Sequence, residues 1–117
     1  MATYTAILAS GTINNVTGNV NIAAQQVFVK KNAALNGFMF LMLKSSDHVT
    51  PATGLTITSQ VSLNGGAFGA TANTATEISN GVYTINLAAA DTNGNTLMYL
   101  FTGGTADNRY IEVITQT

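Results

Sequence analysis

The sequence predicts an all-β fold, and three observations carry that reading. Segments in which apolar and polar side chains alternate recur along the chain, the longest running from Leu55 to Leu63. Turn-forming pairs such as Asn64-Gly65 and Asn80-Gly81 separate these segments at short intervals. Only Ala88 to Asn93 reads as helical, a single turn stopped by Gly94. Many short strands with frequent turns and almost no helix point to an antiparallel β-sandwich of about seven or eight strands, with a closed barrel as the other solution. The immunoglobulin landmarks are missing, since there is neither a cysteine pair nor a tryptophan. A chain of 117 residues has room for one domain and one core, here residues 1–117, with 1–24 as an N-terminal arm or a first strand plus loop.

Composition narrows the function classes. Charged residues make up 8% of the chain, against roughly 25% in an average soluble domain. A surface built mainly from Thr, Asn, Ser, Gly and Ala has weak colloidal protection, which an assembly tolerates better than a free monomer does. Net charge is −1, and Lys30-Lys31 is the only adjacent basic pair, so counterion-release binding of nucleic acid is not expected. The longest fully apolar run, Phe38–Leu43, is far short of the ~20 residues of a membrane span. Met1–Thr5 show neither a basic nor an apolar leader region, and synthesis in the cytoplasm is expected. Absence of cysteine excludes disulfides, thiol catalysis and cysteine-based zinc sites.

In chain order, Thr3–Leu8 has strand composition, and Ser10–Ile22 is rich in Asn, Gly and Thr, with Ile13, Val16, Val20 and Ile22 spaced without period. That stretch is a surface loop with a short hairpin, or an extended arm that orders against a neighbouring subunit. Asn15-Val16-Thr17 matches a glycosylation acceptor but has no secretion signal to make it one. Gln25–Lys31 is a strand with Val27 and Val29 opposite Phe28; Lys30-Lys31 is a solvated strand end or a contact to an acidic partner. Phe38–Leu43 is apolar on both faces, as expected of a central strand or of a strand at a subunit interface, and the central core strand is the preferred reading. The polar connection that follows carries Asp47, His48 and the single proline, Pro51. A lone loop histidine is expected in solvent rather than on a metal.

After the run from Leu55 to Leu63, Asn64-Gly65-Gly66 turns the chain and Ala67-Phe68 starts a short return strand. Gly69–Thr76 is a loop or weak edge. In the hairpin Glu77–Leu87, Asn80-Gly81 supplies the two positive-φ residues of a type I′ turn. A two-residue loop sets Ser79 opposite Val82 and Ile78 opposite Tyr83, with Ile78, Tyr83, Ile85 and Leu87 on the core face. Leu97–Phe101 is a second two-sided apolar strand. Arg109–Thr115 closes the sheet, with Tyr110, Glu112 and Ile114 facing away from Ile111 and Val113.

The chain offers little for catalysis. Its five acids, Asp47, Glu77, Asp91, Asp107 and Glu112, lie far apart in sequence, and the single histidine has no serine motif near it. Asp91-Thr92-Asn93-Gly94-Asn95 has the polar spacing of a calcium loop without the closing glutamate, and reads as an Asx-capped turn. A non-enzymatic protein without metal or cofactor is expected.

The segments Gly54-Leu-Thr-Ile-Thr58, Ser62-Leu-Asn-Gly-Gly-Ala-Phe68, Thr76-Glu-Ile-Ser-Asn-Gly-Val-Tyr83 and Leu87-Ala-Ala-Ala-Asp91-Thr-Asn93 form a pattern. Over Gly54–Asn95 it resembles a small β-sandwich module that recurs in head-, neck- and tail-associated virion proteins of tailed bacteriophages. Such modules often carry Trp-Tyr in the hairpin, where this chain has Val82-Tyr83. The resemblance implies a structural or binding role on a phage particle, made in the host cytoplasm and located on the virion. A short chain without coiled-coil heptads and with an Asn/Gly-rich start looks like a capsid decoration (cement) protein. Such a protein stabilises the head from outside, with the major capsid protein as partner and a homo-oligomer, a trimer by preference, as its state. Tyr4, Ile13, Val16, Lys30 and Lys31 are the candidate partner-binding residues. The alternative is a tail-tip, baseplate or head-fibre component that binds a host-surface glycan through Tyr99, Tyr110 and Tyr4.

Overall fold

The computed structural model describes residues 28–117. In chain order it contains β1 (Leu35–Leu41), β2 (Thr58–Leu63), β3 (Gly69–Ala70), β4 (Thr76–Ser79), β5 (Val82–Leu87), a 3-10 turn (Ala89–Thr92), β6 (Thr96–Thr102) and β7 (Arg109–Ile114). The strands form two antiparallel sheets, β1-β5-β4 and β3-β2-β6-β7. The expected all-β sandwich is what the chain builds.

Alternation places the core between the sheets. Phe38 and Phe40 of β1, Met42, and Tyr83, Ile85 and Leu87 of β5 are buried against Ile57, Val61, Leu97, Tyr99, Phe101 and Val113. Aromatic rings join the two layers. Phe40 stacks on Phe101 with centroids 3.7 Å apart, and Phe38 lies 5.3 Å from Tyr99. These contacts set β1 over β6. Such ring pairs contribute about 0.5–1.5 kcal/mol each beyond the area they bury.

The Asn80-Gly81 turn has φ of 56° and 80°, and Ser79 pairs with Val82, as the hairpin geometry requires. One step further the expected register fails. Glu77, not Ile78, pairs with Tyr83, and the ladder shifts between Glu77 and Ser79. Ile78 sits in this bulge at 55% exposure, away from the core face predicted for it. The Glu77 carboxylate accepts from the backbone N–H of Gly54 at 2.8 Å and of Gly81 at 3.2 Å, which holds the displaced register.

A second correction concerns Phe38–Leu43. β5 is bonded by its hairpin mate β4 on one side, so β1 takes the other side and forms an edge among the described residues, not the centre. Phe38, Phe40 and Met42 are buried, while Met39 and Leu41 reach solvent. The other two-sided apolar strand, β6, does sit between two neighbours. The return strand after Asn64-Gly65-Gly66 forms later than predicted, at Gly69–Ala70, and Phe68 stays exposed.

The helical turn appears where expected, as the 3-10 turn. The buried Asp91 carboxylate accepts from Ala88 N–H at 3.0 Å and from Ala72 N–H at 3.2 Å, joining the turn to the loop after β3. Tyr99 Oη donates to the Asp91 carbonyl at 2.8 Å beneath it.

Candidate interaction surface

The outward-facing residues of the two sheets follow from the registers. On the three-stranded sheet, Met39, Thr84 and Thr76 form one cross-strand row, and Leu41, Val82 and Ser79 the next. Ile78 adds its side chain from the bulge. No charged side chain lies in these rows. Glu77, the only charge on β4, is half-buried and turned to the Gly54 and Gly81 amides.

On the four-stranded sheet, Gln60, Leu100 and Tyr110 form one outward row, and Ser62, Met98 and Glu112 another. Ile114 stands opposite Thr96. Tyr110 and Ile114 are exposed, and Glu112 is the one charged residue on this face. Both outer faces are therefore broad, weakly charged and studded with apolar side chains.

Charge gathers instead at one end of the sandwich. Residues 43–45 pair with 105–107: Asp107 N–H donates to the Leu43 carbonyl at 2.8 Å, and Ser45 N–H to the Thr105 carbonyl at 2.9 Å. Beside this seam His48 Nδ1 lies 2.6 Å from Asp107 Oδ2. The hydrogen bond and the charge of Asp107 raise the His48 pKa above its ordinary value. Asp47 accepts from Thr50 Oγ1 and from the backbone N–H of Thr50 and Val49, which lowers its pKa to about 2. The histidine is thus exposed, as the sequence suggested, but paired with an acid from a distant loop that no local pattern announces. Among the described residues no group of three or more His, Asp or Glu converges to hold a metal ion.

The candidate residues fall in different places. Lys30 is exposed and forms an isolated parallel bridge with Gln116, while the half-buried Lys31 donates from Nζ to Asn95 Oδ1 at 3.0 Å. Tyr110 is exposed on the four-stranded face. Tyr99 is fully buried, with its hydroxyl bonded to the Asp91 carbonyl, so its ring offers no surface to a glycan. Tyr4, Ile13 and Val16 lie outside the described residues. Sequence reasoning missed Met39, Leu41 and Ile78 as surface residues. It counted them as core because an edge strand and a bulge look like a central strand and a regular one in a single sequence.

Comparison with family models, with curated proteins and with solved structures returns no match.

Proposed function

We propose that this chain is a non-enzymatic structural protein of a tailed-phage virion, a decoration protein that binds the outside of the head shell and stabilises it. The observation that carries the reading is the pair of outer faces, which hold Met39, Leu41, Tyr110 and Ile114 at solvent and Glu112 as their one charge. Apolar side chains on flat, weakly charged sheets gain by being covered, and a protein that clamps subunits works through buried area rather than chemistry. The pattern over Gly54–Asn95 supports the same class of protein. The partner is the major capsid protein of the same phage, and the working state is a homo-oligomer, with a trimer favoured.

A glycan-binding tail or head-fibre component is the second reading, and the exposed Tyr110 ring favours it. Rebinding to head shells stripped of the protein separates the two. Under the decoration reading Leu41→Lys or Ile114→Lys weakens shell binding while the variant stays folded. Under the glycan reading those changes leave shell association untouched, and Tyr110→Ala abolishes binding to a host-surface glycan array.

A further inference from the structure

The open edge of β1 lies beside an arginine whose buried nitrogen has no partner. Met42 N–H donates to the carbonyl of Gly81 at the end of β5, so by alternation Phe38 and Phe40 are the β1 residues bonded to β5. The N–H and C=O groups of Met39 and Leu41 therefore face the open side, and none of them finds a partner among the described residues. Phe38–Leu41 also lacks the charge or proline that usually guards an edge. Further along that side, Leu43 and Ser45 bond Asp107 and Thr105 in the connection into β7, so the open side is the β7 side.

The registers fix what lies beneath. Phe40 stacks on Phe101 and Phe38 lies against Tyr99, so β1 runs directly over β6. Across the next ladder Phe101 faces Arg109, and Tyr99 faces Ile111. Both residues share the inner face of β7 with the buried Val113. A strand added to β1 would set its residue opposite Phe40 over Arg109, and its residue opposite Phe38 over Ile111. Arg109 Nε is buried without a hydrogen-bond partner. Among the described residues the one acid–base pair is His48–Asp107, so no carboxylate reaches this guanidinium.

We propose that this strip takes an extended segment of the shell protein that carries an Asp or Glu, added to β1 with its carboxylate on Arg109. The inference rests on the decoration reading and names the contact through which the partner engages. The chain does not supply the acid itself. Residues 1–29 contain no Asp or Glu. Asp47, Asp107, Glu77 and Asp91 are bonded in place to Thr50, His48, Gly54 and Ala88, and Glu112 faces outward. A second folded copy paired through β1 does not fit, because its own β6 would have to stand where β7 is. A carboxylate placed side-on satisfies Nε and one terminal nitrogen together. An aliphatic residue two places from the acid would cover Ile111, which is only half-buried.

Amide hydrogen exchange of the chain, free and bound to stripped head shells, tests this together with Arg109→Gln. The Met39 and Leu41 amides are expected to exchange as open-edge amides in the free chain, and on the order of 100-fold more slowly on shells. Arg109→Gln is expected to weaken shell binding about 30-fold or more without lowering the urea midpoint. Arg109→Lys, which keeps the charge but not the fork, is expected to weaken it less. Should Arg109→Gln not fold, the exchange comparison on the unaltered chain decides alone. Slow exchange at Met39 and Leu41 in the free chain overturns the proposal, since the edge is then covered already. So does shell binding that leaves those amides fast or that survives Arg109→Gln, and both results spare the decoration reading. Failure of the unaltered chain to bind shells removes that reading and this inference with it.

Discussion

Tyr83 donates its phenolic hydrogen to the carbonyl of Ala52 at 2.9 Å, and the same oxygen accepts from Leu55 N–H at 3.1 Å. One buried hydroxyl thus fastens β5 to the connection that leads into β2. Tyr83→Phe keeps the ring and leaves two backbone groups without a partner, at an expected cost of about 1–3 kcal/mol. A lowered urea midpoint at unchanged m-value is the measurement that checks this.

The turn of the central hairpin is sterically specified at one position only. A Cβ at Gly81 would stand 2.7 Å from Pro51 Cβ and 3.1 Å from Ala52 N, at a φ of +80°. Gly81→Ala is expected to destabilise by more than about 1 kcal/mol. Asn80→Gly, which suits the same turn, is expected to change stability by only a few tenths of a kcal/mol. Equilibrium denaturation of the two variants side by side gives the contrast.

Ser59 of β2, opposite Phe101 of β6, is buried, and its Oγ has no hydrogen-bond partner among the described residues. Ser59→Ala removes the unmet desolvation cost with little change in volume, and is expected to stabilise by about 1 kcal/mol. A fall in midpoint would show that the hydroxyl is satisfied after all.

The His48–Asp107 pair gives stability a pH dependence whose sign is fixed. Because the folded pKa of His48 is raised above 6.5, the pair's contribution is full below that value and is lost as pH rises through the folded pKa. Asp47 acts oppositely: lowered to about 2, it contributes above about 3.8 and loses that contribution as pH falls towards 2. His48→Gln is expected to flatten the decline that begins as pH rises past 6.5 and leave the acid limb unchanged. A melting-temperature series from pH 2 to 9 on both proteins shows whether the two limbs separate this way.

Local patterns carried much of this architecture. The alternation from Leu55 to Leu63, the Asn80-Gly81 turn and the helical turn before Gly94 are short-range signals; the two turns form where expected, and the alternating run becomes strand from Thr58 to Leu63. What they could not show depends on partners distant in sequence. The bulge at Ile78 exists because the Glu77 carboxylate is captured by Gly54 and Gly81. The edge position of Phe38–Leu41 among the described residues follows from β5 having only one side left after β4 takes the other. Burial of Tyr99 follows from β6 lying centrally under Phe38. Of the surface itself, Lys30, Tyr110 and the loop residue His48 were legible as exposed, whereas a strand's outward face can be assigned only once the opposing sheet is known.

The most direct measurement of the virion reading is the copy number of this chain in phage particles purified from cells in which it is expressed. Quantitative mass spectrometry against the major shell protein supplies the ratio. A decoration protein is expected at a ratio near that of the shell protein. A few copies per particle would place the chain in the neck or tail, and its absence from particles would contradict the virion reading altogether.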